Sequence, residues 1–253
     1  MRRPDGRIIR VGHRGAPVLE RENTLRSFGR AIELGVDFVE LDVLELADRT
    51  LVVAHSANLL EISHGAVAGS AAALSLAELR EVAPELPALD DALEFLGGAG
   101  VGIHLDVKPR RSTPAILGAL RRHGVVEHCV ASSFWRDVVR DLRRLEPALA
   151  VGIGYPDDRY GLARRRLVAP LIGPSVAVLG RALPRRLTRW LRSTGASAAM
   201  LHWAVVSGDA VRRAHAVGAA VWAWTVNSRA LLERLTELGI DGVITDDPRL
   251  FLQ

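Results

Sequence analysis

The chain of 253 residues contains one lysine, one cysteine, one glutamine and three asparagines. Arginine supplies the other 32 of its 33 basic residues. Such a skew toward arginine and alanine reflects a base bias in the coding DNA, and against it Lys108 stands out. Arginine's planar fork does not replace a compact ammonium with a tunable pKa. A lone Cys129 makes no intramolecular disulfide, which fits a reducing compartment and leaves no cysteine-based zinc pattern. No run approaches the roughly 18 apolar residues of a membrane span. The start, from Met1 to Arg7, is basic with no apolar stretch behind it, so no signal peptide and a cytoplasmic location are expected. The net charge of +4 is modest. The high pI follows from arginine, and no nucleic-acid partner is read from it.

What is present is organised around Phe38-Val39-Glu40-Leu41-Asp42-Val43. Strand side chains alternate faces, so Glu40 and Asp42 point one way and Val39, Leu41 and Val43 the other. Two carboxylates on a buried face are costly unless a cation or strong donors meet them. The same alternation returns in Gly102 to Lys108, where His104, Asp106 and Lys108 share a face. The remaining strands are read at 8–12, 129–132, 149–154, 198–202, 220–226 and 241–245. Residues 51–54 extend or return beside the second strand and deliver His55. A helix follows each strand but the last. The first of these, 25–34, takes Asn23 or Thr24 as its N-cap and ends at Gly35.

Apolar residues make up 49% of the chain, enough for a large core. Eight alternating units in one chain of this length predict an α/β fold, a single (β/α)8 TIM barrel over 1–253. It carries a small insertion at 56–74 after strand two and an arginine-rich excursion at 156–195 after strand five. An open doubly wound sheet is the alternative. It usually shows a glycine-rich phosphate loop after strand one, and Gly12-His13-Arg14-Gly15 lacks that spacing. His13, Glu40, Asp42, Asp106, Lys108, Trp224 and Asp246 fall at or near strand C-termini, the end of such barrels where chemistry is done.

His13-Arg14-Gly15, Glu22-Asn23-Thr24, Glu40-x-Asp42 and His55 resemble the signature of the glycerophosphodiester phosphodiesterases. Ser133-Phe134, Trp224-Thr225-Val226-Asn227 and the run from Asp241 to Pro248 continue the resemblance in order. The resemblance implies the same barrel and a metal-dependent hydrolysis of glycerophosphodiesters to glycerol 3-phosphate and an alcohol. It implies Glu40, Asp42 and Asp106 as metal ligands, His13 and His55 as acid and base in unassigned order, and Arg14 as a phosphate contact. Lys108 matches the family's lysine. Three positions depart from the pattern. Asp106 stands where a glutamate is usual, Ser56 where an aspartate often follows the second histidine, and Arg21 where a proline often precedes Glu22.

The chemistry of these side chains agrees with that assignment. Three carboxylates offer hard oxygen ligands, which favours Mg²⁺ or Ca²⁺ over zinc. Arg14, Lys108 and the ion would stabilise charge on phosphoryl oxygens, with a phosphodiester as the small-molecule substrate. One imidazole would take a proton from the nucleophile, water or the neighbouring glycerol hydroxyl, while the other gives one to the leaving alcohol. Trp224 is read as a substrate wall able to face a cationic head group. Glu22 and Asn23 either cap the first helix or position metal and substrate. Asn227 belongs to the Trp224 motif as a supporting residue. Asp246 is expected to hold backbone amides, and His104 to lie at the metal or behind it.

Two other readings share these residues. One is a phospholipase D-like enzyme acting on lysophospholipids or sphingomyelin, favoured by Asp106. The other is a barrel that binds a phosphodiester or membrane without catalysis, which the histidine pair argues against. The excursion at 156–195 holds nine arginines. It is either an outer helix plus an extra solvated one, or a basic amphipathic element in peripheral contact with an anionic membrane.

Overall fold

In a computed structural model the chain closes eight parallel strands into a barrel. The structure describes residues 6–157 and 169–252, the side chains of 169–174 excepted. In chain order the elements are β1 (Ile9–Gly12), α1 (Leu25–Glu33), β2 (Phe38–Glu45), β3 (Leu51–Val53), α2 (Leu59–Ile62), α3 (Leu76–Val82), α4 (Leu89–Ala99), β4 (Gly102–Val107), α5 (Thr113–Arg122), β5 (Cys129–Ser133) and α6 (Arg136–Leu145). Then come β6 (Ala150–Tyr155), α7 (Ala169–Thr194), β7 (Ala198–His202), α8 (Gly208–His215), β8 (Ala220–Trp224), α9 (Arg229–Glu237) and β9 (Gly242–Thr245). The sheet runs β1-β9-β8-β7-β6-β5-β4-β2, and β1 pairs with β2 to close it. Among the described strands only β3 stands outside the ring, antiparallel to β2.

The two faces of each strand have different jobs. Val39, Leu41, Val43, Ile103, Leu105 and Val107 point outward into one continuous apolar layer beneath the helices. That layer buries the faces that a parallel sheet must cover. The barrel interior is filled at its base by a separate group that includes Ile9, Val11, Val130, Met200, Trp222 and Ile244. Large side chains there face glycines. A Cβ on Gly242 would lie 2.7 Å from the Trp222 ring, and one on Gly102 would lie 2.4 Å from Phe38. With the base plugged, only the upper interior is open to solvent.

The excursion between β2 and α4 carries its own small apolar cluster, with Leu46, Val52, Leu59, Leu79 and Leu86 among its members. It holds β3, α2 and α3, and it delivers His55 over the mouth. Ser75 and Glu78 close a reciprocal cap on α3, which satisfies orphan amides at a helix start. Among the described residues of the arginine-rich excursion one helix, α7, spans 26 residues. Residues 158–168 of that excursion lie outside the described residues.

Candidate active site

Register brings the acidic groups together. Asp42 pairs directly across from Asp106, and Glu40 across from His104. Facing residues of neighbouring strands sit within about 5 Å of each other, so the two inward runs become one surface. Glu40, Asp42 and Asp106 each offer a carboxylate oxygen, and the three oxygens lie within 4.8 Å of one another. Glu40 and Asp42 are buried, and Asp106 is half-buried.

Two tight turns then supply the neighbours. Gly12 leads out of β1 where a Cβ would lie 2.4 Å from the Gly15 carbonyl oxygen, so only glycine admits this return. Arg14 takes a left-handed backbone conformation, φ 52°, and Asn23 does the same at φ 58°. Non-glycine residues are uncommon there, and such strain gathers at functional sites. Here it aims both side chains at β2. The Arg14 backbone N–H donates to Glu40 Oε2 at 2.8 Å, and its guanidinium donates to Glu22 at 2.8 Å. Arg14 Nε lies 3.1 Å from Asp42 Oδ2, close enough for charge attraction though not aligned as a hydrogen bond. Asn23 Nδ2 donates to the same Asp42 oxygen at 3.0 Å. The helix cap is therefore Thr24, which accepts from the Ser27 amide, and Asn23 is free to orient Asp42.

Lys108 completes the acidic cluster. Its Nζ is 2.9 Å from Asp42 Oδ1 and 2.5 Å from Asp106 Oδ2. A guanidinium fork there would not fit between two single oxygens in this way. Burial alone would lower the Lys108 pKa, but Asp106 and Asp42 outweigh it and raise it. Burial likewise pushes Asp42 up, yet Lys108 and Arg14 overcome that and hold its carboxyl well below the usual range. For Glu40 the pull of His13 and Arg14 is outweighed. Burial and the Asp42 charge push it up to about 7. Asp106 is also raised, by burial first and against the pull of Lys108. Three carboxylate oxygens this close, with Glu40 and Asp106 both pushed up by burial and by the Asp42 charge, fit a divalent cation and its preference for hard ligands.

The two candidate acid–base groups differ. His13 Nδ1 is 2.6 Å from Asp246 Oδ1, and its Nε2 faces Glu40 at 4.0 Å. Burial opposes its charge, but Glu40 and Asp246 prevail and its pKa is raised. His55 is lowered to about 4, first by burial, with Arg14 and Lys108 repelling its proton and Asp42 attracting it. Ser56 does not back His55; its hydroxyl accepts from the Asn58 amide at 3.0 Å. Arg21 fixes the loop below by bonding the Ile62 carbonyl and Glu85.

Asp246 differs from expectation. It holds side chains rather than backbone amides: it pairs with His13 and accepts from Asn227 Nδ2 at 2.6 Å. Asn227 in turn accepts from the Asp246 amide and from Thr245. His104 is buried behind the cluster rather than in it. Its Nε2 lies 2.9 Å from Ser132 Oγ, its ring meets Trp222 edge-on at 5.6 Å, and burial lowers its pKa to about 3.

His13, Arg14, Glu40, Asp42, His55, Asp106 and Lys108 line one cavity of about 650 Å³ at the barrel mouth. Its opposite wall is aromatic. Trp224 donates from Nε1 to the Met200 carbonyl at 3.0 Å, and its ring meets Phe134 and His202 edge-on at 5.9 and 5.1 Å. The wall was only partly visible in the sequence. Phe134, Trp135 and Met200 line the cavity as well. The signal for Phe134 was Gly154, a glycine in a strand where a Cβ would lie 2.8 Å from its ring.

An acidic triad suited to a divalent ion, two fixed cations and two unlike imidazoles at the mouth of a parallel barrel define a hydrolase of phosphate esters. The model of the glycerophosphoryl diester phosphodiesterase family matches residues 13–250, and the chain belongs to that family. A glycerophosphodiester phosphodiesterase of Caldanaerobacter subterraneus is 25% identical over 96% of this chain and 95% of its own length. A probable glycerophosphodiester phosphodiesterase of Mycobacterium tuberculosis is 29% identical over 94% and 89%. Among solved structures, an Oleispira antarctica phosphodiesterase in complex with sn-glycerol-3-phosphate superimposes with a TM-score of 0.78. It is 24% identical and covers 95% of this chain and 93% of its own. The chain is a phosphoric diester hydrolase.

Proposed function

We propose that the protein hydrolyses glycerophosphodiesters to glycerol 3-phosphate and an alcohol, with His55 as base and His13 as acid. The observation that carries this reading is the convergence of Glu40, Asp42 and Asp106 between two histidines shifted in opposite directions, His13 raised and His55 lowered from the ordinary imidazole value. His55 is neutral at pH 7 and takes a proton from the nucleophile, water or the neighbouring glycerol hydroxyl, as its oxygen bonds phosphorus; the hydroxyl route gives a cyclic phosphate, which a water then opens to glycerol 3-phosphate. His13 holds a proton at Nε2, since Nδ1 is committed to Asp246, and gives it to the alcohol oxygen as the second P–O bond breaks.

Glu40, Asp42 and Asp106 would hold Mg²⁺ or Ca²⁺. When bound, that ion supplies positive charge to the phosphoryl oxygens. Lys108 holds the Asp42 carboxyl in its charged form and fixes the positions of Asp42 and Asp106. Arg14 reaches the same cavity and offers guanidinium donors to phosphate. Trp224 and Phe134 form the wall against which the alcohol head group lies.

The test is turnover of glycerophosphocholine with Mg²⁺, with Ca²⁺ and in EDTA. Chelation should abolish it and either ion restore it; undiminished turnover in EDTA would falsify the reading. A lysophospholipid reading has one observation in its favour, the aromatic wall beside the shorter Asp106. Faster turnover of lysophosphatidylcholine than of glycerophosphocholine would establish it instead.

A further inference from the structure

From Asp158 to Asp209 the sequence has no acidic residue between them, and α7 lies wholly inside that interval. Elsewhere on the surface arginines meet carboxylates: Arg30 with Glu33, Arg121 with Glu146, Arg122 with Asp90, Arg144 with Asp141, Arg213 with Asp209. On α7, Arg181, Arg185, Arg189 and Arg192 are all exposed. Among the described residues none of the four pairs with a carboxylate.

At about 100° per residue these four arginines and Val178 fall within roughly 80° of arc. The opposite face, Leu183, Leu187 and Leu191, is buried against the barrel. The stripe is therefore the side of the helix that nothing among the described residues covers, and Val178 on it is 62% exposed.

The helix is also too long for its barrel. Its 26 residues span about 39 Å, while the six residues of β6 rise about 20 Å. The end at Thr194 is tied by a short turn to the start of β7 at the barrel base. The surplus must then stand at the other end, beside the mouth. Gly180 marks where the helix passes the turn Trp203–Val205 that follows β7, with its Cβ position 3.5 Å from Val205 Cα. Residues 169–179, N-terminal to that point, contain no charged side chain.

We propose that α7 is a docking surface for an anionic phospholipid bilayer, which it meets with its arginine stripe and the uncharged turn at 175–179, placing the mouth at the membrane. A row of arginines suits anionic headgroups, and an apolar end beside them suits the interface below. A nucleic acid would use the arginines but not the apolar end. The inference does not depend on which reaction the cavity performs.

The test is co-sedimentation of the full chain with phosphatidylglycerol–phosphatidylcholine vesicles and with pure phosphatidylcholine vesicles. Binding to the first and not the second is expected. The variant R181E/R185E/R189E/R192E should bind the anionic vesicles on the order of a hundredfold more weakly, and Val178→Asp several-fold more weakly. Both should keep full turnover of soluble glycerophosphocholine, and circular dichroism should report an intact fold. Should the fourfold variant not fold, R185E/R189E carries the same test with a smaller loss. No partition onto anionic vesicles, equal partition by the charge-reversed protein, or tighter binding to duplex DNA at the same salt each overturns the inference. Vesicle binding by a protein with no phosphodiesterase turnover would sustain it and end the proposed reaction.

Discussion

The barrel mouth has two halves built by the same kind of strand and serving opposite ends of a substrate. On one side β1, β2 and β4 contribute His13, Glu40, Asp42, Asp106 and Lys108. On the other, β7, β8 and the turn after β5 contribute Met200, Trp224 and Phe134. In the first half every charge is placed against another: Asp42 alone meets Lys108, Arg14 and Asn23. In the second half the single polar contact of Trp224 is used to fix its ring, not to reach solvent. A phosphate needs charge that is held in advance and an alcohol needs a surface. The division lets each half be altered without the other.

Asp42 offers the hardest test of that separation. Asp42→Ala removes a metal ligand and leaves Lys108 and Arg14 facing a gap. Activity should fall by at least about 10³-fold without rescue by added metal, and urea unfolding should show a loss of about 3 kcal/mol. Asp42→Asn, similar in shape, should lose comparable activity. Retained turnover in either would break the assignment of the charged half.

The histidines come next. His55 is neutral above a pH of about 4, so activity should rise as pH climbs through that value. His13 has a raised pKa and keeps its proton above 6.5, so activity should fall once pH passes it. His55→Ala should erase the acidic limb and His13→Ala the alkaline one, each with a loss of about 10²-fold or more. The reverse pattern would exchange their roles. Asp246→Asn is gentler. It removes a negative charge that raises His13, so the alkaline limb should move to lower pH with a loss of roughly tenfold.

Trp224→Ala belongs to the other half. It should raise KM for glycerophosphocholine by several-fold, as loss of a ring facing a cation would. Both kcat and the pH profile should stay nearly unchanged. A change in the pH limbs instead would show that the halves are coupled.

Much of this was legible along the chain because strand periodicity is a local property. Glu40-x-Asp42 and His104-x-Asp106-x-Lys108 announce their inward faces without reference to anything distant, and eight such units imply closure. The position of Lys108 at a strand end with two carboxylates on neighbouring inner faces was likewise open to inspection. His104 was not. Whether an inward histidine ligates or fills depends on what lies across the barrel, and here that is Trp222 and Ser132. Asp246 was misjudged for the same reason, since its partner His13 is 233 residues away in sequence.

The sequence by itself determined the barrel, its faces and the residues at its mouth, because alternation, caps and strand ends act over a few neighbours. Only the tertiary structure decided that His13 is raised and His55 lowered, that Lys108 bridges two aspartates, and that four arginines of α7 lack any partner among the described residues. Protonation and pairing depend on distances between segments far apart along the chain. Those distances exist only after the strands have taken their register.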